Sequence, residues 1–173
     1  MGTRARIGIL LPDDSILSVY HHWDGYPEWL GVTLKEQYNT KEKIAKLIDG
    51  GNMSSCYSDN EYDEEKQEFV KNDPRPVYYG GDDERPHHNE SFQRFLNDVN
   101  ACEEYLYFFG TQGWKAFSVR PIYDDDYNVI RTDVTPVEYH NQRSHKCIVQ
   151  RKNYFLFHPL WSFYIGVHVC FHS

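Results

Sequence analysis

His21, His22, Trp23, Asp24, Gly25, Tyr26 and Pro27 form the densest run of chemically able side chains in the 173-residue chain. Two imidazoles, an indole, a phenol and a carboxylate stand where a β-rich stretch meets a turn. Successive strand side chains point to opposite faces. His21 and His22 therefore cannot chelate one ion as helical i, i+4 histidines do, and one of them faces inward. His22 and Asp24 share a face, which lets a carboxylate orient an imidazole for acid–base work. Trp23 and Tyr26 offer rings for stacking on a base. The plainer alternative has Asp24 capping the next helix while the rings pack the strand–helix joint. Counting by twos puts Arg4 and Arg6 on one face of the first strand. There they could grip a phosphate if the fold brings them beside Trp23 or Tyr79. The competing reading is a charged edge that resists sheet-to-sheet pairing.

Metal chemistry has weaker support. His168, Cys170 and His172 alternate along one expected strand face and offer the nitrogen and sulfur donors that zinc prefers, with His145 or Cys147 available as a fourth ligand. His87 and His88 follow Asp82, Asp83 and Glu84, a mixture that could hold a divalent ion or simply keep a loop soluble. The chain has no Gly-rich phosphate loop, no G-x-S-x-G and no H-E-x-x-H, so the corresponding nucleotide, serine-hydrolase and zincin chemistries lack their motifs. No cofactor is expected.

The elements that must position these groups follow from local pattern. Arg6 to Leu11 and Ser15 to Trp23, either side of Pro12-Asp13-Asp14, read as a hairpin. Pro27 to about Gln37 reads as a helix with Leu30 and Leu34 on one face. Asn39-Thr40-Lys41-Glu42 opens a short helix striped by Ile44, Leu47 and Ile48 and ended by Gly50-Gly51. From Asn52 to Pro76 the periodicity fades and Asp73-Pro74-Arg75-Pro76 opposes regular structure, so an exposed excursion is expected, with Val77 to Gly80 as a short strand. Ser91 caps a helix reaching about Cys102, with Phe92, Phe95, Leu96 and Val99 at helical spacing. Tyr105 to Phe109 and Trp114 to Val119 form a second hairpin around Gly110-Thr111-Gln112-Gly113. Together these predict an α+β fold: an antiparallel sheet of hairpins with two or three short helices on one face. Residues 1–119 would be the core domain, with an acidic excursion at 57–76. Residues 120–173 would be a C-terminal extension packed as strands.

The charge is uneven. Eighteen Lys and Arg face 26 Asp and Glu for a net charge of −8, and Tyr57 to Glu90 alone holds eleven acids and four bases. A net negative chain is a poor general binder of nucleic-acid phosphates, which disfavours DNA as a partner. The acidic window is either a solvated loop or a surface for a basic partner. Four scattered cysteines without a C-x-x-C pair, and an N-terminus that runs directly into a strand, suggest free thiols in a reducing compartment. Mean hydropathy of −0.72 and 40% hydrophobic residues exclude a membrane bundle and a wholly disordered chain. Tyr154 to Ser173 lacks any charged side chain. Its length suits a membrane anchor, but Pro159, Gly166 and its histidines, with the Ile165-Val167-Val169-Phe171 alternation, favour a strand.

Read together, several motifs resemble a family of small uncharacterised proteins of bacteriophages and prophages. They are Thr3-Arg4-Ala5-Arg6-Ile7-Gly8, Tyr20-His21-His22-Trp23-Asp24-Gly25-Tyr26-Pro27, Leu47-Ile48-Asp49-Gly50-Gly51-Asn52-Met53-Ser54-Ser55, Val77-Tyr78-Tyr79-Gly80 and Glu104-Tyr105-Leu106-Tyr107-Phe108-Phe109 with Trp114. The likeness runs from about Thr3 to Phe117. Gly81 and Asp83 depart from it, standing where relatives carry arginines. The resemblance implies a phage origin and the cytoplasm of an infected bacterial host, but no particular reaction.

Three functions are consistent with these residues. The first is a non-enzymatic binding protein that inhibits or redirects a host factor, in host takeover or anti-defence, by holding a host protein or sequestering a nucleotide signal. Its ligand-binding residues would be Arg4, Arg6, His22, Trp23, Asp24, Tyr26 and Tyr79. The second is a small nucleotide- or nucleic-acid-processing enzyme with His22 and Asp24 as its acid–base pair. The third is an envelope-associated protein anchored by its tail.

Overall fold

The structure, a computed structural model, describes residues 2–98 and 102–138. Strands β1 (Ala5–Leu10) and β2 (Ile16–His21) form the expected hairpin, with Ala5 opposite His21 and Leu10 opposite Ile16. Its turn depends on Asp13, whose Oδ1 accepts from Ser15 Oγ at 2.6 Å and from Ser15 N at 3.2 Å. This is the side-chain-to-backbone bonding that makes Asp a turn former.

A helical segment follows, with a wide π-type turn Pro27–Gly31 leading into α1 (Val32–Gln37). Helix α2 (Lys41–Asp49) begins at Thr40, whose side chain accepts from Lys43 N, and buries Ile44, Leu47 and Ile48. These apolar residues pack with Leu30 and Leu34 against Ala5, Ile7, Ile9 and Val19 of the sheet. Each fully buried Leu or Ile contributes about 1.5–3 kcal/mol.

Two long strands, β3 (Met53–Asp63) and β4 (Glu68–Tyr78), come next. They replace the irregular excursion expected from Asn52 to Pro76. Pro74 and Pro76 fit because β4 is the edge of the sheet, where a missing N–H costs no ladder bond. Register shifts between Ser55 and Asn60 absorb the mismatch. The hairpin is held at its exposed end by the Arg75–Glu61 and Lys71–Asp59 ion pairs, and Val77 to Gly80 is no separate strand, because Val77 and Tyr78 end β4.

Strand β5 (His87–Asn89) leads to α3 (Phe92–Asn97), capped by Ser91, whose side chain accepts from Arg94 N. The helix ends at Asn97, short of the expected Cys102, and Val99 lies outside the described residues. β6 (Tyr105–Gly110) and β7 (Gly113–Tyr123) make the second hairpin, and β8 (Val129–Val137) pairs with β7.

The eight strands among the described residues join one sheet in the order β4-β3-β2-β1-β6-β7-β8, with β5 also paired to β2. The sheet is mixed, not the purely antiparallel set of hairpins expected. β1 runs parallel to β6, and β2 meets β3 in parallel at His21 and Met53. The helices between Pro27 and Asp49 supply the long crossover that parallel neighbours need. The helices also divide between faces. α1 and α2 cover the face of Ala5, Ile7 and Ile9. α3 lies on the other, where a Cβ on Gly8 would stand 3.0 Å from the Phe95 ring and Phe95 packs with Ile16, Leu106, Phe108 and Phe117.

Candidate functional site

The face that carries α3 also carries the polar cluster. By strand alternation it receives Arg6 from β1 and Ser18 and Tyr20 from β2, and Arg6 lies directly opposite Tyr20. Continuing the register by one residue puts Arg4 beside His22. The outer edge of β2 then divides. Its first half, Ile16 to Ser18, pairs with β5, and its last residue, His21, pairs with β3. Between these partners the ladder is interrupted. Asn52 fills the break, its Oδ1 accepting Tyr20 N at 2.7 Å while its Nδ2 donates to Glu84 Oε2 at 2.9 Å. Asn52 is placed for this by Gly51 at φ +86°, where a Cβ would lie 2.2 Å from the Glu84 carbonyl oxygen, a position only glycine fills.

At this fork a cleft of about 270 Å³ opens, lined by Arg6, Ser18, Tyr20, Asn52, His87 and Asp98. His87 Nε2 bonds Asp98 Oδ2 at 2.7 Å, and Asn89 Nδ2 donates to the same oxygen at 3.0 Å. Burial alone would raise the Asp98 carboxyl, but its bonds from His87 and Asn89 outweigh that and hold it below the usual range. Arg6 faces the cleft as half of an ion pair: Nε donates to both Glu103 oxygens at 3.0 and 3.2 Å, and Glu103 is 1% exposed. Its positive charge is thus already matched.

Beyond Tyr20 the chemistry changes. The Tyr20 hydroxyl lies 2.9 Å from His22 Nδ1, with the Arg4 guanidinium near enough to bear on it. The positive Arg4 nearby favours the phenol oxygen's lone pairs turned toward it, so the phenol proton is assigned to His22 Nδ1 and the proton of the neutral imidazole to Nε2. Burial, then the Arg4 charge, holds His22 below the ordinary histidine range. It is neutral at pH 7. The His22 ring meets Trp23 edge-on at a centroid distance of 4.6 Å and Tyr79 at 6.4 Å. Trp23 is 50% exposed and Tyr79 48% exposed, and the Trp23 ring rests against Gly2, where a Cβ would approach within 2.7 Å.

Of the residues singled out from sequence, Arg4, Arg6, His22, Trp23 and Tyr79 thus line one surface together with Tyr20. Asp24 and Tyr26 build the corner: Asp24 takes φ 58°, Gly25 N bonds Thr3 O at 2.8 Å, and the Tyr26 carbonyl accepts from Trp29 N and Leu30 N. Neither lines the cleft, and the hydrogen bond seen at the His22 ring is with Tyr20. His21 is the inward histidine, 1% exposed. Sequence reasoning missed Tyr20, Asn52 and Asp98. The hairpin register, counted outward from Asp13, would have set Tyr20 across from Arg6. Asn52 and Asp98 carry no comparable signal, since their roles come from the fork in the sheet.

His87 and Asp82 do not converge on an ion: His87 bonds Asp98, and Asp82 pairs with Arg85. Among the described residues, no group of three His, Cys, Asp or Glu side chains could hold a metal. His168, Cys170 and His172, and the whole segment from Tyr154 to Ser173, lie outside the described residues. No helix among the described residues is long and apolar enough to cross a membrane.

Larger hollows among the described residues include one of about 670 Å³ bordered by Trp114, Phe117 and Val137, and one of about 380 Å³ between α2 and β4. Both are walled mainly by apolar groups with lysines at the rim. The convergent acids, amides and imidazoles are at the fork, which is therefore the better candidate despite its smaller size. In comparisons with protein-family models, with curated proteins and with solved structures, no match to the chain was found.

Proposed function

We propose that the protein binds a small anionic ligand with an aromatic ring, of the nucleotide class, and holds it without chemical change. The observation that carries this reading is the succession of Arg4, His22 and the half-exposed Trp23 and Tyr79 on one surface. Arg4 stands near the Tyr20 phenol and has no carboxylate partner among the described ion pairs, so its charge is available to a phosphate. The Nε2–H of His22 is a second donor beside it. Trp23 and Tyr79 give flat surfaces for a base, a contact worth about 1–3 kcal/mol per base.

An enzymatic reading needs an acid–base pair. Here His22 Nδ1 is already engaged by Tyr20, so binding fits the geometry better than turnover through His22 and Asp24. Together with the resemblance to phage proteins, this supports the proposal that the protein acts in the cytoplasm of an infected bacterium, withdrawing a nucleotide signal from a host factor.

Titration calorimetry with AMP, ADP and 3′,5′-cyclic AMP tests the proposal, followed by chromatography of the recovered nucleotide. Binding that weakens at least tenfold in Arg4→Ala and Trp23→Ala, with the nucleotide recovered intact, is the expected result. Absence of binding by all three, or affinity indifferent to both substitutions, overturns it. Conversion of the nucleotide would favour the enzyme.

A further inference from the structure

The side chains of the site are ordered along the strand pair, and the order itself selects a ligand. From Ser18 to His22 is four residue steps, about 13 Å. At the Ser18 end is the cleft with His87, Asn52 and Asp98. In the middle stands Tyr20, across from Arg6, and at the far end Arg4 and His22 stand side by side with Trp23 and Tyr79. A nucleoside monophosphate has its phosphate at one end and its sugar next to the base. It cannot put a ring on Trp23, a phosphate on Arg4 and anything in the cleft beyond.

We infer that the cleft takes the distal sugar of a nucleoside diphosphate sugar, whose base stacks at Trp23 and Tyr79 and whose diphosphate lies at Arg4. This rests on the nucleotide reading above and extends it.

The cleft's chemistry supports a neutral, hydroxyl-bearing occupant. Its one guanidinium, Arg6, is neutralised by Glu103, and the Asp98 carboxylate would repel a phosphate placed there. The two hydrogen bonds to Asp98, from His87 and Asn89, both fall on Oδ2. Oδ1 is left to accept from a sugar hydroxyl, the role a carboxylate plays toward ribose hydroxyls in dinucleotide sites. The fork also leaves polar edges in the cleft wall: Asn52 replaces a strand there, and Ser18 Oγ lies 3.4 Å from the His87 carbonyl oxygen and from Asn89 Oδ1. Tyr20 lines the cleft and bonds His22, which makes the two halves continuous.

The test is calorimetry of the full chain with ADP-ribose and UDP-glucose beside their parent diphosphates, ADP and UDP. The expected result is that at least one sugar conjugate binds tenfold or more tighter than its parent. In Asp98→Asn that conjugate should fall to its parent's affinity while the parent is unaffected. Equal binding of conjugates and parents by the wild-type chain overturns the inference and leaves the nucleotide reading standing. That comparison needs no variant, so a misfolded Asp98→Asn does not blunt it. An equal loss for parent and conjugate in a folded Asp98→Asn also overturns it. If the parents and AMP fail to bind as well, the nucleotide reading itself falls.

Discussion

Asn52 does the work of a missing strand for Tyr20: its side-chain oxygen accepts the Tyr20 N–H at 2.7 Å where β2 has left β5 and not yet met β3. The same amide holds Glu84, so one residue closes the backbone ladder and fixes one wall of the cleft. Buried backbone donors are almost always paired, which explains why an amide side chain is needed at a break in the sheet. Replacing Asn52 by Ala leaves that N–H without its partner and costs about 1–3 kcal/mol. Asn52→Asp keeps the acceptor but places a carboxylate beside Glu84, so it recovers only part of the loss. Urea unfolding midpoints of the three proteins check this order.

Arg6 and Glu103 form the second support of the cleft, and a buried pair of this kind has an asymmetric energetic signature. Glu103→Leu alone strands a guanidinium that is 14% exposed and should cost about 3–5 kcal/mol. The double variant Arg6→Met, Glu103→Leu removes both charges and should regain most of that. A double variant no more stable than Glu103→Leu would contradict the assignment, and a double-mutant cycle by chemical denaturation measures it.

Much of this architecture was legible in the chain, for identifiable reasons. The β1–β2 hairpin has a Pro-Asp-Asp turn between β-rich runs, and α2 has both a cap and a 3.6-residue stripe. Those signals are local. β3 and β4 were hidden because their sequence is acidic and proline-bearing. A strand read from hydrophobicity must bury a face, whereas this hairpin is mostly exposed and tolerates proline only by lying at the sheet edge. Missing β3 also concealed the crossover through α1 and α2, and with it the parallel pairing. In the site, Arg4, His22 and Trp23 stood out because their types cluster in sequence. Asp98 and Asn52 join them only through long-range topology, which no spacing encodes.

His21 makes stability depend on pH. It is fully enclosed, its Nε2 accepts from Cys56 N at 3.2 Å, and Nδ1 has no partner among the described residues. The ring is therefore neutral with its proton on Nδ1, and burial pushes its pKa down to about 3. The folded state binds fewer protons than the unfolded state between that value and the ordinary 6.5. Stability is complete above pH 6.5 and declines as pH falls, by about 1.4 kcal/mol per unit once well below it. His22, also lowered, adds in the same direction. Between pH 6.5 and 4.5 the described carboxylates with lowered pKa remain largely ionised, so the histidines dominate. Denaturation midpoints should fall steadily across this interval in the wild type and more gently in His21→Gln, whose amide can still accept from Cys56 N.

Tyr20 is the hinge of the recognition surface, since its hydroxyl bonds His22 Nδ1 with the Arg4 guanidinium close by. Tyr20→Phe keeps the ring and its place in the sheet, so the stability change should stay near the 1 kcal/mol of a single hydrogen bond. The functional change should be larger. Arg4 loses the phenol oxygen beside it, and His22 loses the donor that keeps its proton on Nε2. Nitrogen-15 shifts of His22 should report a clean Nε2–H tautomer in the wild type and a mixture in Tyr20→Phe. Nucleotide affinity should fall about tenfold, equivalent to about 1.4 kcal/mol. A tautomer unchanged by the substitution would show that the imidazole is oriented by something other than the phenol. An unchanged affinity would remove Tyr20, and the Arg4–His22 donor pair it assembles, from the binding of the ligand.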